Sequence, residues 1–110
     1  MSQENALSGQ DYLRKILLAR IYPVARLTPL HKLEKLSDKI GGGKILLKRE
    51  DYQTVHSFKI RGAYNKIRQL SKEQLSCGIV AASAGNHAQG CALSAKNLGC
   101  KAVIVMPNTT

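Results

Sequence analysis

The sequence has no tryptophan, one phenylalanine and four tyrosines among its 110 residues, and it lacks long apolar runs. The longest such run, Ala102 to Met106, is far shorter than the roughly 20 residues that a membrane-spanning helix needs. The amino-terminal residues lack the regions of a signal peptide, and Glu4 with few arginines is unlike an organellar transit peptide. We therefore expect a cytoplasmic protein without a membrane span.

Acidic residues are also scarce, with 7 Asp and Glu against 17 Lys and Arg and a net charge of +10. Such an excess first suggests a nucleic-acid partner. The basic residues, however, are spread evenly from Arg14 to Lys101, without an arginine-rich run or interleaved aromatic residues. We therefore expect no nucleic-acid partner. A second explanation of the charge is that acidic parts of a larger protein are missing.

The three cysteines include no Cys-x-x-Cys pair, and the three histidines are not at zinc-finger spacing. An odd number of cysteines in a cytoplasmic chain argues against disulfides. We expect Cys77, Cys91 and Cys100 to pack as small apolar residues, and we expect no metal site.

The apolar pattern predicts alternating helices and strands. Capping boxes begin at Ser8 and Ser71, and apolar residues three and four apart predict a helix from Lys59. Further predicted elements are a strand and helix after Thr28, strands at 44–48, 79–82 and 101–106, and a helix at 88–98. Strands that are apolar throughout, separated by helices, indicate an α/β fold with an open parallel sheet and flanking helices on both sides.

Two lysine segments could carry chemistry. Gly41-Gly42-Gly43-Lys44 lacks the Walker spacing and precedes a strand, so a flexible turn is expected there. Lys59 lies where a loop becomes a helix, and the helix dipole together with Arg61 would favour the neutral amine of a Schiff-base lysine. Phe58 could offer a flat apolar face to an aromatic ring. On position alone, a solvated lysine in the first turn of a helix is the simpler interpretation.

The segment Ser83-Ala84-Gly85-Asn86-His87 joins the carboxyl end of a strand to a helix. Open parallel sheets bind ligands at this place, and the unpaired N–H groups of a helix start favour an anion. Gly85 lets the backbone approach a ligand closely, and Asn86 can form a hydrogen bond. The alternative is a helix capped by Asn86, with His87 merely exposed.

Together these segments resemble the serine/threonine dehydratases of the fold-type II pyridoxal-phosphate enzymes. In many relatives Thr-Gly precedes the Ser-Phe-Lys segment, whereas here Val55-His56 stands before Ser57-Phe58-Lys59. This difference narrows the resemblance to the biosynthetic threonine dehydratases of isoleucine synthesis. The resemblance covers residues 12 to 108 and includes the matching motifs Thr28-Pro29-Leu30, Lys48-Arg49-Glu50-Asp51, Ser57 to Ala63, Ala82 to Gly90 and Met106-Pro107.

The resemblance implies deamination of L-threonine to 2-oxobutanoate and ammonia with pyridoxal 5'-phosphate as cofactor. L-Serine is a second possible substrate, and the parent enzyme is expected to be a homo-oligomer. The resemblance further implies that Lys59 binds the cofactor covalently and acts as base. It also implies that Phe58 packs against the pyridine ring of the cofactor and that Asn86 hydrogen-bonds its phenolic oxygen. The substrate carboxylate is expected to bind at Ser83, Ala84, Gly85 and His87.

Several parts of this family are missing from the sequence, including the glycine-rich loop that holds the cofactor phosphate. We therefore expect residues 1–110 to be an incomplete amino-terminal part of the catalytic domain, inactive alone. Two alternatives remain open. One is another fold-type II activity, serine dehydration or racemisation, although Ala84 stands where serine racemases typically have serine. The other is a truncated remnant without catalytic function.

Overall fold

The computed structural model describes residues 7–109, in which helices and strands alternate along the chain. This order confirms the predicted α/β class. A single 3₁₀ turn at Glu50–Tyr52 follows the second strand. The other elements are α1 (Gly9–Leu17), β1 (Leu30–Lys32), α2 (Glu34–Lys39), β2 (Leu46–Lys48), α3 (Lys59–Ile67), α4 (Lys72–Cys77), β3 (Ile79–Ala82), α5 (Asn86–Leu98) and β4 (Ala102–Val105).

Short-range signals determine several helix ends. The Asp11 N–H donates to Ser8 Oγ at 3.2 Å, and the Ser8 N–H donates to Asp11 Oδ2 at 2.9 Å, which completes the predicted capping box. Ser71 begins α4 in the same way. Gly99 ends α5 in the left-handed conformation, with φ of 68°. α1 ends at Leu17, six residues before Pro23.

The strands form two separate sheets. β3 and β4 pair in parallel, with Ile79 opposite Ala102, which confirms the parallel sheet in this part of the chain. β1 and β2 instead pair antiparallel, so the parallel prediction is wrong for them. The glycines after α2 explain the difference: Gly41 and Gly42 have φ of 68° and 117°, and the chain reverses there before β2.

The main core lies between α3, α5 and the parallel pair. Buried Ala63, Ile67, Ala81 and Cys91 form a cluster there, and Cys100 packs against its edge. The predicted apolar packing is thus confirmed for these two cysteines, whereas it is wrong for Cys77, which is exposed at the end of α4.

The parallel pair has one covered and one open face. Ala81 and Ile104 contribute to the core, whereas Val80, Val103 and Val105 are 74%, 57% and 54% exposed. Burial of both faces, as predicted from the sequence, is therefore wrong within residues 7–109. No helix in that range is long and apolar enough to span a membrane.

Gly90 sets how closely α5 approaches α3. A Cβ at Gly90 would lie 3.2 Å from the carbonyl carbon of Lys59 and 3.3 Å from the Ile60 nitrogen. These neighbours are backbone atoms, and the Ile60 side chain is fully buried, so neither can move aside easily. The start of α3 therefore requires a residue without a side chain at position 90.

Replacing glycine by alanine at two helix positions tests this packing. Gly62→Ala in α3, where a Cβ meets no atom within 4 Å, should raise the free energy of unfolding by up to about 1 kcal/mol. Gly90→Ala should lower it by about 1–3 kcal/mol, because overpacking outweighs the gain in helix propensity. Urea unfolding followed by circular dichroism measures both, and equal stabilisation by the two substitutions would contradict the packing described.

Candidate functional site

Two helix starts lie next to each other at one edge of the core. Lys59 is the first residue of α3, and Asn86 is the first residue of α5. Gly90 of α5 contacts the Lys59 backbone and is separated from Asn86 by only about 6 Å along the helix axis. The fold thus brings together the two segments that the sequence singled out.

The Lys59 side chain is exposed at the start of α3. Its Nζ lies 5.2 Å from the centroid of the Phe58 ring, a cation–π contact, and Phe58 itself is 60% exposed. Within the described part of the chain, Lys59 forms no ion pair. Arg61, expected to act on this lysine, instead directs its guanidinium to Glu50. The amine is therefore free to react, whereas the charge of Arg61 is neutralised elsewhere.

Ser57, two residues before Lys59, carries an unsatisfied polar atom. The residue is only 6% exposed, and its Oγ has no hydrogen-bond partner among residues 7–109. An unpaired buried hydroxyl is costly, and native proteins satisfy nearly all such groups. Its position beside Phe58 and Lys59 fits a polar ligand that supplies the missing hydrogen bond.

The loop before α5 leaves the helix start open to an anion. The Ser83 N–H donates to the Val105 carbonyl at 2.9 Å, which fixes the loop to the end of β4. The Gly85 N–H donates to Ser83 Oγ at 3.3 Å. Gly85, not Asn86, is the N-cap, and no side chain caps the helix, so the interpretation of Asn86 as a cap is wrong. The first N–H groups of α5 remain available to a carboxylate or phosphate.

The side chains at the start of α5 differ in their surroundings. Asn86 and Ala84 are exposed, and the Asn86 amide makes no hydrogen bond within residues 7–109. The His87 ring instead turns along the helix, where its Nε2 lies 3.5 Å from Cys91 Sγ. Burial raises the pKa of that thiol, so Cys91 favours its neutral form. Asn86 therefore faces solvent at the site, while His87 contacts the core edge.

Sequence analysis noted Glu50 only as part of a motif and missed its contacts. Its Oε1 accepts hydrogen bonds from Thr28 Oγ1 at 2.5 Å and Arg61 Nη2 at 2.8 Å. Its Oε2 accepts from Arg61 Nε at 2.7 Å and Gln53 Nε2 at 3.1 Å. The Arg61 hydrogen bonds are the main reason that the pKa of Glu50 falls to about 2. In the sequence, only the motif Lys48-Arg49-Glu50-Asp51 indicates this carboxylate.

The site is an open edge outside the groove between α1 and α3, although His87 also lines a smaller groove with Ala82 and Cys91. A groove of about 740 Å³ lies between α1 and α3 and includes Tyr12, Ile16 and Asn65. Neither Lys59 nor the loop at 83–87 lines it. Chemistry at Lys59 thus depends on the helix starts rather than on that groove.

Comparisons with known proteins identify the family of the chain. Residues 21–110 match the family model of pyridoxal-phosphate dependent enzymes. The chain is 56% identical over 103 residues to the biosynthetic L-threonine dehydratase IlvA of Pasteurella multocida, a match that covers 94% of this chain and 20% of the relative. The chain therefore spans about a fifth of the length of the curated relatives that it matches.

Two solved structures are similar across most of the chain. The processed threonine deaminase isoform 2 of Solanum lycopersicum has a TM-score of 0.86 and 50% identity, over 96% of this chain and 30% of that one. Maize serine racemase has a TM-score of 0.80 and 41% identity, over 86% and 30%.

The Glu50 contacts predict how stability depends on acid. A carboxyl whose pKa is lower in the folded state than in the unfolded state stabilises the fold above its unfolded pKa. Glu50 should therefore contribute fully above pH 4.5, and this contribution should disappear as the pH falls to about 2. Urea unfolding at several pH values should show a flatter acid dependence for Glu50→Gln than for the unchanged chain. Asp51→Asn, in an exposed ion pair, is the control, and equal slopes for Glu50→Gln and the unchanged chain would contradict the assignment.

Proposed function

The chain belongs to the family of pyridoxal-phosphate dependent enzymes, and we propose that it is the amino-terminal part of the catalytic domain of a biosynthetic threonine dehydratase. The proposed reaction converts L-threonine to 2-oxobutanoate and ammonia, the first step of isoleucine synthesis. The observation that carries this proposal is the exposed Lys59 side chain, which forms no ion pair within residues 7–109, beside the open start of α5. Identity above 50% to a threonine dehydratase supports the choice of substrate.

The residues around Lys59 fit pyridoxal phosphate. Lys59 would hold the cofactor covalently, the exposed ring of Phe58 would pack against its pyridine ring, and Asn86 would hydrogen-bond its phenolic oxygen. The unpaired Ser57 hydroxyl offers a further polar contact. When bound, the cofactor supplies an electron sink that stabilises negative charge at the substrate Cα.

The loop at 83–87 supplies the groups that orient the substrate. We assign the carboxylate to Ser83, Ala84, Gly85 and His87, where the open N–H groups and dipole of α5 favour a negative charge. The bond from Ser83 to Val105 keeps this loop in place before the substrate arrives. Such preorganisation aligns the Cα–H bond with the base.

Lys59 performs the proton transfer. Its amine, when not bonded to the cofactor, would accept the proton from the substrate Cα. The protonated Lys59 amine would then give this proton to the β-hydroxyl, which leaves as water. The enamine that remains tautomerises to an imine, and hydrolysis of the imine gives 2-oxobutanoate and ammonia. L-Serine can follow the same route, because it carries the same leaving group. We also propose that the parent enzyme is cytoplasmic and that it is a homo-oligomer.

Serine racemisation is the second candidate, favoured by the similarity to maize serine racemase. Racemisation needs one group that removes a proton from Cα and another that returns a proton to the opposite face. Lys59 serves one face, and the methyl group of Ala84 cannot donate a proton to the other. The loop therefore favours elimination over racemisation.

A chimeric enzyme tests the proposed function. This chain replaces the matching 103 residues of the Pasteurella multocida relative, and 2-oxobutanoate is measured with L-threonine as substrate. Lys59→Ala should lower turnover by roughly 10²–10⁴-fold or more, the range for one positioned base. Lys59→Arg should not rescue it, because a guanidinium stays protonated.

Lys66→Ala, which removes an exposed lysine of the same helix, is the matched control and should retain turnover. Turnover that survives Lys59→Ala would refute the role of Lys59. Substantial D-serine, recovered by chiral chromatography after partial turnover of L-serine, would favour the racemase instead.

A further inference from the structure

One carboxylate joins α3 to the two chain segments that flank the paired strands β1 and β2. Glu50, in the 3₁₀ turn after β2, contacts Thr28 before β1 and Arg61 in α3. Gln53 extends the cluster: its Oε1 accepts from the Arg26 N–H at 2.8 Å, and its Nε2 donates to the Arg26 carbonyl at 2.9 Å. Arg61 Nη2 also reaches that carbonyl at 3.2 Å. We call Arg26, Thr28, Glu50, Gln53 and Arg61 the Glu50 cluster.

The cluster is mostly shielded from water. Gln53 and Thr28 are 1% and 4% exposed, and the side chains of Glu50 and Arg61 are 15% and 24% exposed. Charge-assisted hydrogen bonds in such surroundings are strong and directional, and both Glu50 oxygens are used. Because each hydrogen bond fixes the direction of its donor, the cluster holds the Arg61 side chain in a single orientation relative to the 3₁₀ turn that carries Glu50.

Three neighbouring residues at the start of α3 are held in three different ways. The Lys59 backbone packs against Gly90, and the Ile60 side chain, 0% exposed, fills a core with Ala25 and Val55. Arg61 is bound by Glu50. Lys59 and Arg61 lie about 200° apart around the helix, so Glu50 acts on the side away from the lysine.

We propose that Glu50 is a positioning residue for Lys59, because its ion pair with Arg61 fixes the rotation of the first turn of α3 and hence the direction of the lysine side chain. This inference rests on the proposed function, which assigns the cofactor to Lys59. Glu50 itself touches neither Lys59 nor the loop at 83–87. It acts through the backbone of α3.

A neighbouring ion pair provides the matched control. Arg49 Nε and Nη2 donate to the Asp51 carboxylate at 2.8 and 2.6 Å, a bidentate pair in the same turn. This pair is more exposed, and among residues 7–109 Asp51 forms no ion pair or hydrogen bond with α3. Asp51→Asn therefore removes similar chemistry next to Glu50 without releasing Arg61.

The test measures how fast each lysine of the full chain captures pyridoxal phosphate. The chain is mixed with pyridoxal phosphate, reduced with borohydride at timed intervals, and digested so that each pyridoxyl-lysine is quantified. Glu50→Gln should slow labelling of Lys59 by roughly tenfold, the effect expected when charge-assisted hydrogen bonds are weakened. Labelling of Lys44 and Lys66 should not change, and Asp51→Asn should behave as the unchanged chain.

Amide hydrogen exchange gives a second readout. In Glu50→Gln, the amides of Ile60 to Ala63 should exchange faster, whereas those of Ala95 and Ile104 in the main core should keep their protection. If the main core of Glu50→Gln also loses its protection, that variant is partly unfolded, and Arg61→Lys replaces it in the test. It keeps the positive charge but loses the bidentate geometry, and it should slow labelling of Lys59 in a folded chain.

The outcomes separate this inference from the proposed function. The positioning role would be overturned if Lys59 is labelled selectively and at the same rate in Glu50→Gln as in the unchanged chain. The same holds for Arg61→Lys where that variant replaces Glu50→Gln in the test. Either result would leave the proposed function intact. Labelling without preference for Lys59 in the unchanged chain would instead overturn the proposed function. Slower labelling in Asp51→Asn, equal to that in Glu50→Gln, would also overturn the positioning role.

Discussion

The ion pair between Glu50 and Arg61 is the interaction on which the geometry of the site depends. Two hydrogen bonds of 2.7 and 2.8 Å join a turn after the antiparallel sheet to the helix that begins with Lys59. Thr28 and Gln53 also donate hydrogen bonds to the carboxylate, so this partly shielded charge has its partners in place. The small sheet and the larger core are thereby connected next to the reactive lysine.

Close packing of α5 against α3 supplies the second constraint. Without a side chain at Gly90, the two helix starts come together, and a primary amine lies beside a row of open N–H groups. An aldehyde cofactor requires the amine, and an amino-acid carboxylate suits the helix start. The chemistry of the proposed dehydratase thus follows from where two helices begin.

Local signals in the sequence were sufficient for much of this fold. Capping boxes at Ser8 and Ser71, the stop at Gly99 and the apolar period after Lys59 each depend on residues close in the chain, and the structure confirms them. Contacts between distant residues were not predictable in this way. The antiparallel pairing of β1 with β2, the burial of Ser57 and the partner of Arg61 depend on how separate segments pack.

The proposed cofactor and substrate site requires that the starts of α3 and α5 bind as one unit. Titration of the ¹⁵N-labelled chain with pyridoxal phosphate, followed by NMR, tests it directly. The amide signals of residues 57–60 and 83–88 should shift together with one apparent affinity, while those of α1 and of β1 and β2 stay in place. Shifts scattered over the lysines of the surface, or different affinities for the two segments, would contradict the claim.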